Sequence, residues 1–181
     1  EWWNAEGYRN AKAQLQKALE LDPGYAAARQ QYAWLMLMGW IFRLEHTPAP
    51  PHEIKENAIR AVELDPEDPL AHRTAAFGYY FDKQMELFER EAKIALELAP
   101  NNPEILSSLG FLIATKGQWE RGTKLAIKAH DLNPVSASGW YNSTLYYDFY
   151  RRGMYREALA VLRVHPAQGL VENQHKYTSV Y

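Results

Sequence analysis

Apolar and small residues recur along the chain at steps of four and then three positions, in four separate stretches. Residues with this spacing share one face of a helix, and small side chains there allow a neighbouring helix to approach closely. The pattern therefore predicts four helices, each with one buried face. The face residues are Ala11, Leu15 and Ala18; Ile54, Ala58 and Ala61; Phe88, Ala92 and Ala95; and Gly122, Ala126 and Ala129.

Each predicted helix ends in a similar heptapeptide, which contains an alanine, then a leucine and finally a proline. The four heptapeptides are KALELDP, RAVELDP, IALELAP and KAHDLNP, and their prolines are 43, 34 and 34 residues apart. Proline cannot continue a helix and disfavours helical backbone at the residue before it. A second helix is predicted after each proline, so the chain is expected to repeat a helical hairpin.

These features resemble the tetratricopeptide repeat, a helical hairpin of 34 residues with the pattern W-x2-L-G-x2-Y, A-x3-F and P. No single repeat of this chain carries every position of that pattern, but the register holds over four repeats. The resemblance implies an all-α fold, an α-α superhelix (solenoid) of about four to five helix-turn-helix repeats. The matching residues are Trp140, Tyr147, Leu109, Gly110, Ala158, Leu162 and the four prolines.

We expect a single domain over residues 1–181 that is a fragment of a longer protein, truncated at both ends. The second repeat has nine extra residues, placed as an insertion at 46–54. Because Pro48, Pro50 and Pro51 disfavour helix, an extended loop is predicted at about His46–His52. The approximate repeats are 1–23 (partial), 24–66, 67–100, 101–134, 135–167 and 168–181 (partial).

In tetratricopeptide proteins the helix after each proline lines a concave face that usually holds a peptide or a helix of a partner. The resemblance therefore implies a groove, lined by the residues of these helices that the repeat pattern does not use. Trp34, Phe77, Phe111 and Leu145 occupy equivalent positions and predict an apolar ladder. The sequence does not decide whether these side chains pack in the core or bind a partner. The predicted groove residues are Gln30, Trp34, Leu37, Met38, Arg73, Phe77, Tyr80, Phe81, Ser107, Phe111, Ala114, Tyr141, Leu145 and Asp148.

The composition of the predicted groove indicates the chemistry of its partner. Chaperone-binding members of the family clamp a C-terminal carboxylate with Lys, Asn and Arg, whereas Arg73 is the only cation among the residues predicted here. We therefore expect no carboxylate clamp. The expected partner is a protein or peptide with an apolar or aromatic segment, because aromatic anchors carry most of the energy in such sites.

The segment Tyr32–Phe42 contains eleven residues and no charge. It is too short to span a bilayer, which takes about 20 apolar residues, so no membrane insertion by this chain is expected. A helix that is apolar all round is predicted to be covered all round. The cover would be the Pro48–Pro51 loop, a second copy of the chain or a partner's peptide, with burial by the chain itself as the alternative to contact.

Composition and motifs exclude most other functions. Lys and Arg number 20 and Asp and Glu 22, so no direct binding of nucleic acid is expected. The chain has no cysteine, and its histidines lack the spacing of metal ligands; His52 to Glu56 reads HEIKE, without the second histidine of H-E-x-x-H. No catalytic motif is present. We therefore expect no enzyme activity, no metal and no cofactor.

The stretch from Glu6 to Trp34 is similar to the repeat region of bacterial class III adenylate or guanylate cyclases and of winged-helix transcription regulators. In those proteins, as in this chain, a longer first spacing between repeats is followed by regular repeats. The resemblance implies a protein-binding scaffold that is the regulatory part of a larger bacterial signalling protein. Such a protein is expected in the cytoplasm, or in the periplasm if the parent has a transmembrane segment. The alternative is a self-association module, a homodimer with no separate ligand.

Overall fold

The computed structural model describes residues 4–45, 48–134 and 139–164. These residues form α-helices joined by turns and one short 3-10 helix, with no strand among them. The prediction of an all-α fold is therefore confirmed. The helices are α1 (Ala5–Leu21), α2 (Ala26–Phe42), α3 (Pro51–Leu64), α4 (Pro69–Phe81), α5 (Met85–Leu98), α6 (Pro103–Thr115), α7 (Trp119–Leu132), α8 (Ser143–Arg151) and α9 (Tyr155–Val164), and the 3-10 helix is Gly139–Asn142.

The chain divides into two compact units, unit 1 over Glu1–Ala99 and unit 2 over Pro100–Tyr181. In unit 1, each of the helices α1 to α5 packs against the next, and α2 also contacts α4 directly. In unit 2, α6 packs on α7, α7 on α8 and α8 on α9, and α6 also contacts α8. Consecutive helices therefore pair as the hairpin repeat predicts.

The prolines that were predicted to end helices do so. Helices α1, α3, α5 and α7 each end at the leucine that stands two positions before its proline. Other prolines begin helices instead: Pro69 and Pro103 open α4 and α6, where the residues before them, Asp68 and Asn102, accept hydrogen bonds from first-turn backbone N–H groups. Proline suits this first position because its missing N–H has no partner within the helix.

The preference of proline for the first position of a helix also explains why the predicted loop at His46–His52 is too long. Helix α3 begins at Pro51, so His52 lies in its first turn, and Pro50 is the extended residue before it. The prediction extended the loop too far because it treated every proline there as incompatible with helix. His46 and Thr47 lie outside the described residues.

The small-residue faces form the centre of the packing. Ile54, Ala58 and Ala61 of α3 are at most 1% exposed, and the equivalent residues of α5 and α7 are buried as well. In α1 the face residues Ala11, Leu15 and Ala18 are only half-buried. The face of α1 is less buried because α1 packs mainly against α2, whereas α3 packs between α2 and α4.

The turn inside three hairpins uses one residue with positive φ. Gly117 and Gly153 have φ of 108° and 74°, and Lys83 takes the same place between α4 and α5 with φ of 59°. In each turn, the residue after this position donates its N–H to a carbonyl near the end of the preceding helix, such as Gln84 to Tyr79 and Gln118 to Ile113. Glycine adopts this backbone without steric cost, whereas lysine does not.

The helix after Pro134 differs from the expected single helix. Its first turn is the 3-10 helix, and α8 then runs for only nine residues from Ser143. Helix α9 has ten residues, four fewer than α7.

Candidate partner-binding surfaces

Aromatic side chains from α2 and α4 meet in unit 1. The rings of Trp34 and Phe77 lie edge to face with centroids 5.5 Å apart, and the rings of Trp40 and Phe81 lie 5.0 Å apart. Phe77 also approaches Phe81, which joins the two pairs into one cluster. Edge-to-face contacts of this kind are favourable because the positive ring edge meets the negative ring face.

This cluster has a buried floor and a partly open surface. Phe77 is 5% exposed, whereas Trp34, Trp40, Tyr80 and Phe81 are half-buried. Tyr80 is held between Phe81 and the buried ring of Phe88, with centroids 5.5 Å from each. We call the four half-buried residues the aromatic surface of unit 1. Their rings are held by contacts with one another or, for Trp34, with the buried Phe77, so little side-chain freedom remains to be lost on binding.

Arg73, the single cation predicted in the groove, lies inside the fold. Its residue is 2% exposed, and its guanidinium carbon lies 3.7 Å from the ring centroid of Trp34. This is the geometry of a cation–π contact, which is strongest when both groups are removed from water. Arg73 therefore supports Trp34 from below rather than presenting a charge to solvent.

The structure separates the predicted groove residues into two sets. Buried ones are Gln30, Leu37, Met38, Arg73, Phe77, Ser107, Ala114, Tyr141 and Asp148. Half-buried ones are Trp34, Tyr80, Phe81, Phe111 and Leu145. Packing within the chain thus accounts for most of the set. One of the buried residues, Gln30, donates a hydrogen bond from Nε2 to Oγ1 of Thr74 in α4 at 3.3 Å.

Of the four residues of the predicted apolar ladder, Trp34 and Phe77 are in ring contact with each other. In unit 2, the ring that meets Phe111 is that of Tyr147, at 6.0 Å. From Tyr147 the contacts continue through Tyr146 and Tyr150 to Tyr155. Burial raises the pKa of the Tyr146 and Tyr147 hydroxyls, and a neighbouring tyrosine raises it further in each case.

Asp148 of α8 belongs to a compact ion network of unit 2. Its Oδ1 accepts hydrogen bonds from Nε and Nη2 of Arg151 at 2.9 and 2.5 Å, and its Oδ2 accepts one from Nη1 of Arg152 at 3.3 Å. The Arg151 guanidinium also lies 4.6 Å from the ring centroid of Trp119. Asp148 therefore binds two arginines at the end of its own helix.

Neither a metal site nor a membrane-spanning helix is found in the described part of the chain. Among the described residues, no group of three histidine, aspartate or glutamate side chains is arranged to hold a metal ion. Over the same residues, none of the helices is both long enough and apolar enough to cross a bilayer.

No protein-family model and no curated protein matches the chain. Solved structures do match. TTC0263, a tetratricopeptide protein of Thermus thermophilus, has a TM-score of 0.72 and 18% identity, over 96% of this chain and 90% of that one. The chain has the tetratricopeptide-repeat fold. MamA residues 41-end from Desulfovibrio magneticus RS-1 match with a TM-score of 0.60 and 16% identity, over 91% of this chain and 97% of that one. YrrB, described as a tetratricopeptide protein with an unusual peptide-binding site, has a TM-score of 0.57 and 17% identity, over 94% and 84%.

Within this tetratricopeptide fold, the sequence prediction missed Trp40 as a member of the aromatic surface. The sequence did contain a signal that Trp40 belongs to the same helix face. Trp40 follows Met36 and Leu37 at helical spacing, and no proline interrupts the segment as far as Phe42. The contact of Trp119 with Arg151 had no such signal, since the two residues are 32 positions apart.

Proposed function

We propose that this chain is a protein-binding scaffold module, which takes an apolar or aromatic segment of a partner, a peptide or a helix, on the aromatic surface of unit 1. The observation that carries the proposal is the half-buried state of Trp34, Trp40, Tyr80 and Phe81 on two neighbouring helices. Clustered, partly exposed aromatic side chains are the residues that dominate binding energy at interfaces. The similar protein YrrB is described as having a peptide-binding site, which agrees with this role.

The lack of catalysis and the role in a larger signalling protein are proposed on the basis of the sequence resemblance. The chain would act without catalysis, as the regulatory part of a larger bacterial signalling protein whose cyclase or winged-helix domain lies in other sequence. Phe111 and Leu145 are half-buried and would offer a smaller apolar contact within unit 2. The buried residues of the predicted groove (Gln30, Leu37, Met38, Arg73, Phe77, Tyr141 and Asp148) would position the half-buried ones of their own unit from within.

The test begins with selection of peptides from a random library displayed on phage. Fluorescence anisotropy then measures the affinity of a selected peptide for the wild-type chain and for Phe81→Ala. We expect the selected peptides to carry aromatic or aliphatic anchors and Phe81→Ala to weaken binding about tenfold or more, as truncation of an interface hot spot does. Phe77→Ala and Arg73→Glu are poor test variants, because both residues are buried and their replacement would disturb the fold.

Tyr155→Ala provides the matched control. Tyr155 is a 59%-exposed aromatic residue of unit 2, outside the proposed surface. Peptides that bind both variants as tightly as the wild type would rule out the aromatic surface of unit 1 as the site. Sedimentation velocity tests the alternative, self-association: a dimer that Phe81→Ala dissociates would assign this surface to a second copy of the chain.

A further inference from the structure

A second cluster of charged side chains belongs to unit 2 and shares no residue with the aromatic surface. It lies where the first turns of α7 meet the last turn of α8. Six residues line a cavity of about 260 Å³ there: Glu120, Thr123, Lys124, Asp148, Arg151 and Arg152. We call this cavity the basic groove.

The arginines of the basic groove are held in position before any ligand arrives. The Asp148 side chain is 8% exposed and accepts hydrogen bonds from both, while Arg151 is additionally stacked on Trp119. The Arg152 side chain is still 53% exposed. A guanidinium fixed in this way loses little conformational freedom when it binds a planar carboxylate, which its fork of N–H donors matches.

The charge of the groove favours an anion. Three cations, Lys124, Arg151 and Arg152, face two carboxylates, and the carboxylate of Asp148 is almost entirely inside the fold. Lys124 is 74% exposed, and its hydrogen bond lowers the pKa of Glu120, so Glu120 remains ionised and limits the surplus to one positive charge. In sequence, residues 100–181 contain nine Lys and Arg and six Asp and Glu, a net charge of +3, whereas residues 1–99 contain eleven and sixteen, a net charge of −5.

The lining also offers uncharged groups to a peptide. The hydroxyl oxygen of Thr123 is buried and makes no hydrogen bond within the described part of the chain. An adjoining cavity of about 530 Å³ shares Glu120 and Lys124 with the basic groove and adds Trp119 and Leu125 as apolar walls. A ligand that combines a carboxylate with some apolar surface would use both cavities.

We infer that the basic groove binds an acidic segment of a partner protein, with side-chain carboxylates against Lys124 and Arg152. A nucleic acid fits less well, because its closely spaced phosphates need many cations and Glu120 would repel them. A short acidic peptide needs only the one surplus positive charge that the groove supplies. The inference goes beyond the proposed function, since it concerns a different unit and a ligand of different chemistry.

The experiment measures binding of fluorescein-labelled hexaglutamate by fluorescence anisotropy in low-salt buffer. We expect binding that weakens with added salt, and an affinity about tenfold lower for Arg152→Glu and for Lys124→Glu, since each removes one charge-assisted contact. Lys93→Glu is the matched control: it makes the same charge change at an exposed lysine of α5, in unit 1. It should weaken binding clearly less than Arg152→Glu does, because Lys93 lines neither cavity. Circular dichroism melts check that the variants are folded.

Two results would overturn the inference. One is hexaglutamate that binds no more tightly than hexaglutamine, or that loses as much affinity from Lys93→Glu as from Arg152→Glu. The other is a low-salt dimer of the chain alone that excludes hexaglutamate and that Arg152→Glu dissociates, which would assign the groove to a second copy. Because hexaglutamate has no apolar anchor, failure here leaves the proposal for the aromatic surface of unit 1 untouched.

Discussion

Nδ1 of His72 in α4 lies 2.6 Å from Oε2 of Glu91 in α5, and both side chains are buried. Nε2 of His72 lies 2.8 Å from the carbonyl oxygen of Pro66, which can only accept a hydrogen bond. Nε2 must therefore carry a proton, and the contact with Glu91 needs a further proton between nitrogen and carboxylate. This buried, hydrogen-bonded pair joins the two helices of one hairpin to the turn that precedes it.

Breaking this pair should destabilise unit 1. His72→Leu leaves the Glu91 carboxylate buried with the half-exposed Arg90 as its remaining ion-pair partner, and we expect a loss of about 2–3 kcal/mol in the free energy of unfolding. Glu91→Leu should cost a similar amount, since Nδ1 loses its partner. The double variant should cost at least about 1 kcal/mol less than the sum of the two. Urea denaturation measures all three.

Arg60→Ala serves as the comparison, because Arg60 and Glu63 form an ion pair that is more than half exposed. It should change the stability by less than about 1 kcal/mol. Strictly additive effects of His72→Leu and Glu91→Leu would show that the two side chains do not act as a pair.

Helices α6 and α7 pack closely at Gly110 and Gly122. A Cβ added at Gly122 would meet the carbonyl oxygen of Gly110 and come within 2.7 Å of Cβ of Ala114. Gly122→Ala should therefore destabilise unit 2 by about 1–3 kcal/mol, although alanine favours helix over glycine by about 1 kcal/mol. Thermal and urea unfolding provide the measurement. Lys124→Ala, at an exposed position of the same helix, should stay within about 0.5 kcal/mol. A Gly122→Ala variant more stable than the wild type would mean that the helices separate at little cost.

The turn between α4 and α5 contains a lysine where two other hairpin turns contain glycine. Because Lys83 has φ of 59°, Lys83→Gly should raise the free energy of unfolding by about 0.5–1 kcal/mol by removing the cost of the left-handed backbone. The reciprocal change, Gly117→Ala, should lower it by about 1 kcal/mol, since an added Cβ meets nothing within 4 Å and only the backbone opposes it. Opposite signs for the two variants in urea denaturation would support this reason. A loss of stability in Lys83→Gly would contradict it.

Much of the fold could be predicted from the sequence because the relevant forces are local. Leu64 and Pro66 mark the end of α3 because a proline cannot continue a helix that precedes it and disfavours helical backbone at the residue before it. Ala58 and Ala61 share the face of α3 that becomes buried because the 3.6-residue period alone determines it. The start of α3 at Pro51 was missed, because the same residue type that ends a helix also begins one, and three prolines in close succession leave the choice open.

The candidate sites were less predictable, and Tyr32–Phe42 shows why. Its residues are nearly all apolar, yet Leu37 is 1% exposed while Trp34 and Trp40 remain half-buried. The helical period predicts only the direction in which a side chain points from its own helix. Burial depends on what lies opposite, which for Trp34 is Arg73 and Phe77 of α4.

The sequence by itself therefore determined the repeat, the ends of its helices and the faces on which they pack, because helix period and the covalent limits of proline act within a few residues. Only the tertiary structure decided that Arg73 supports Trp34 from inside and that Trp119 meets Arg151. Both contacts join different helices, and their geometry exists only once the helices have packed.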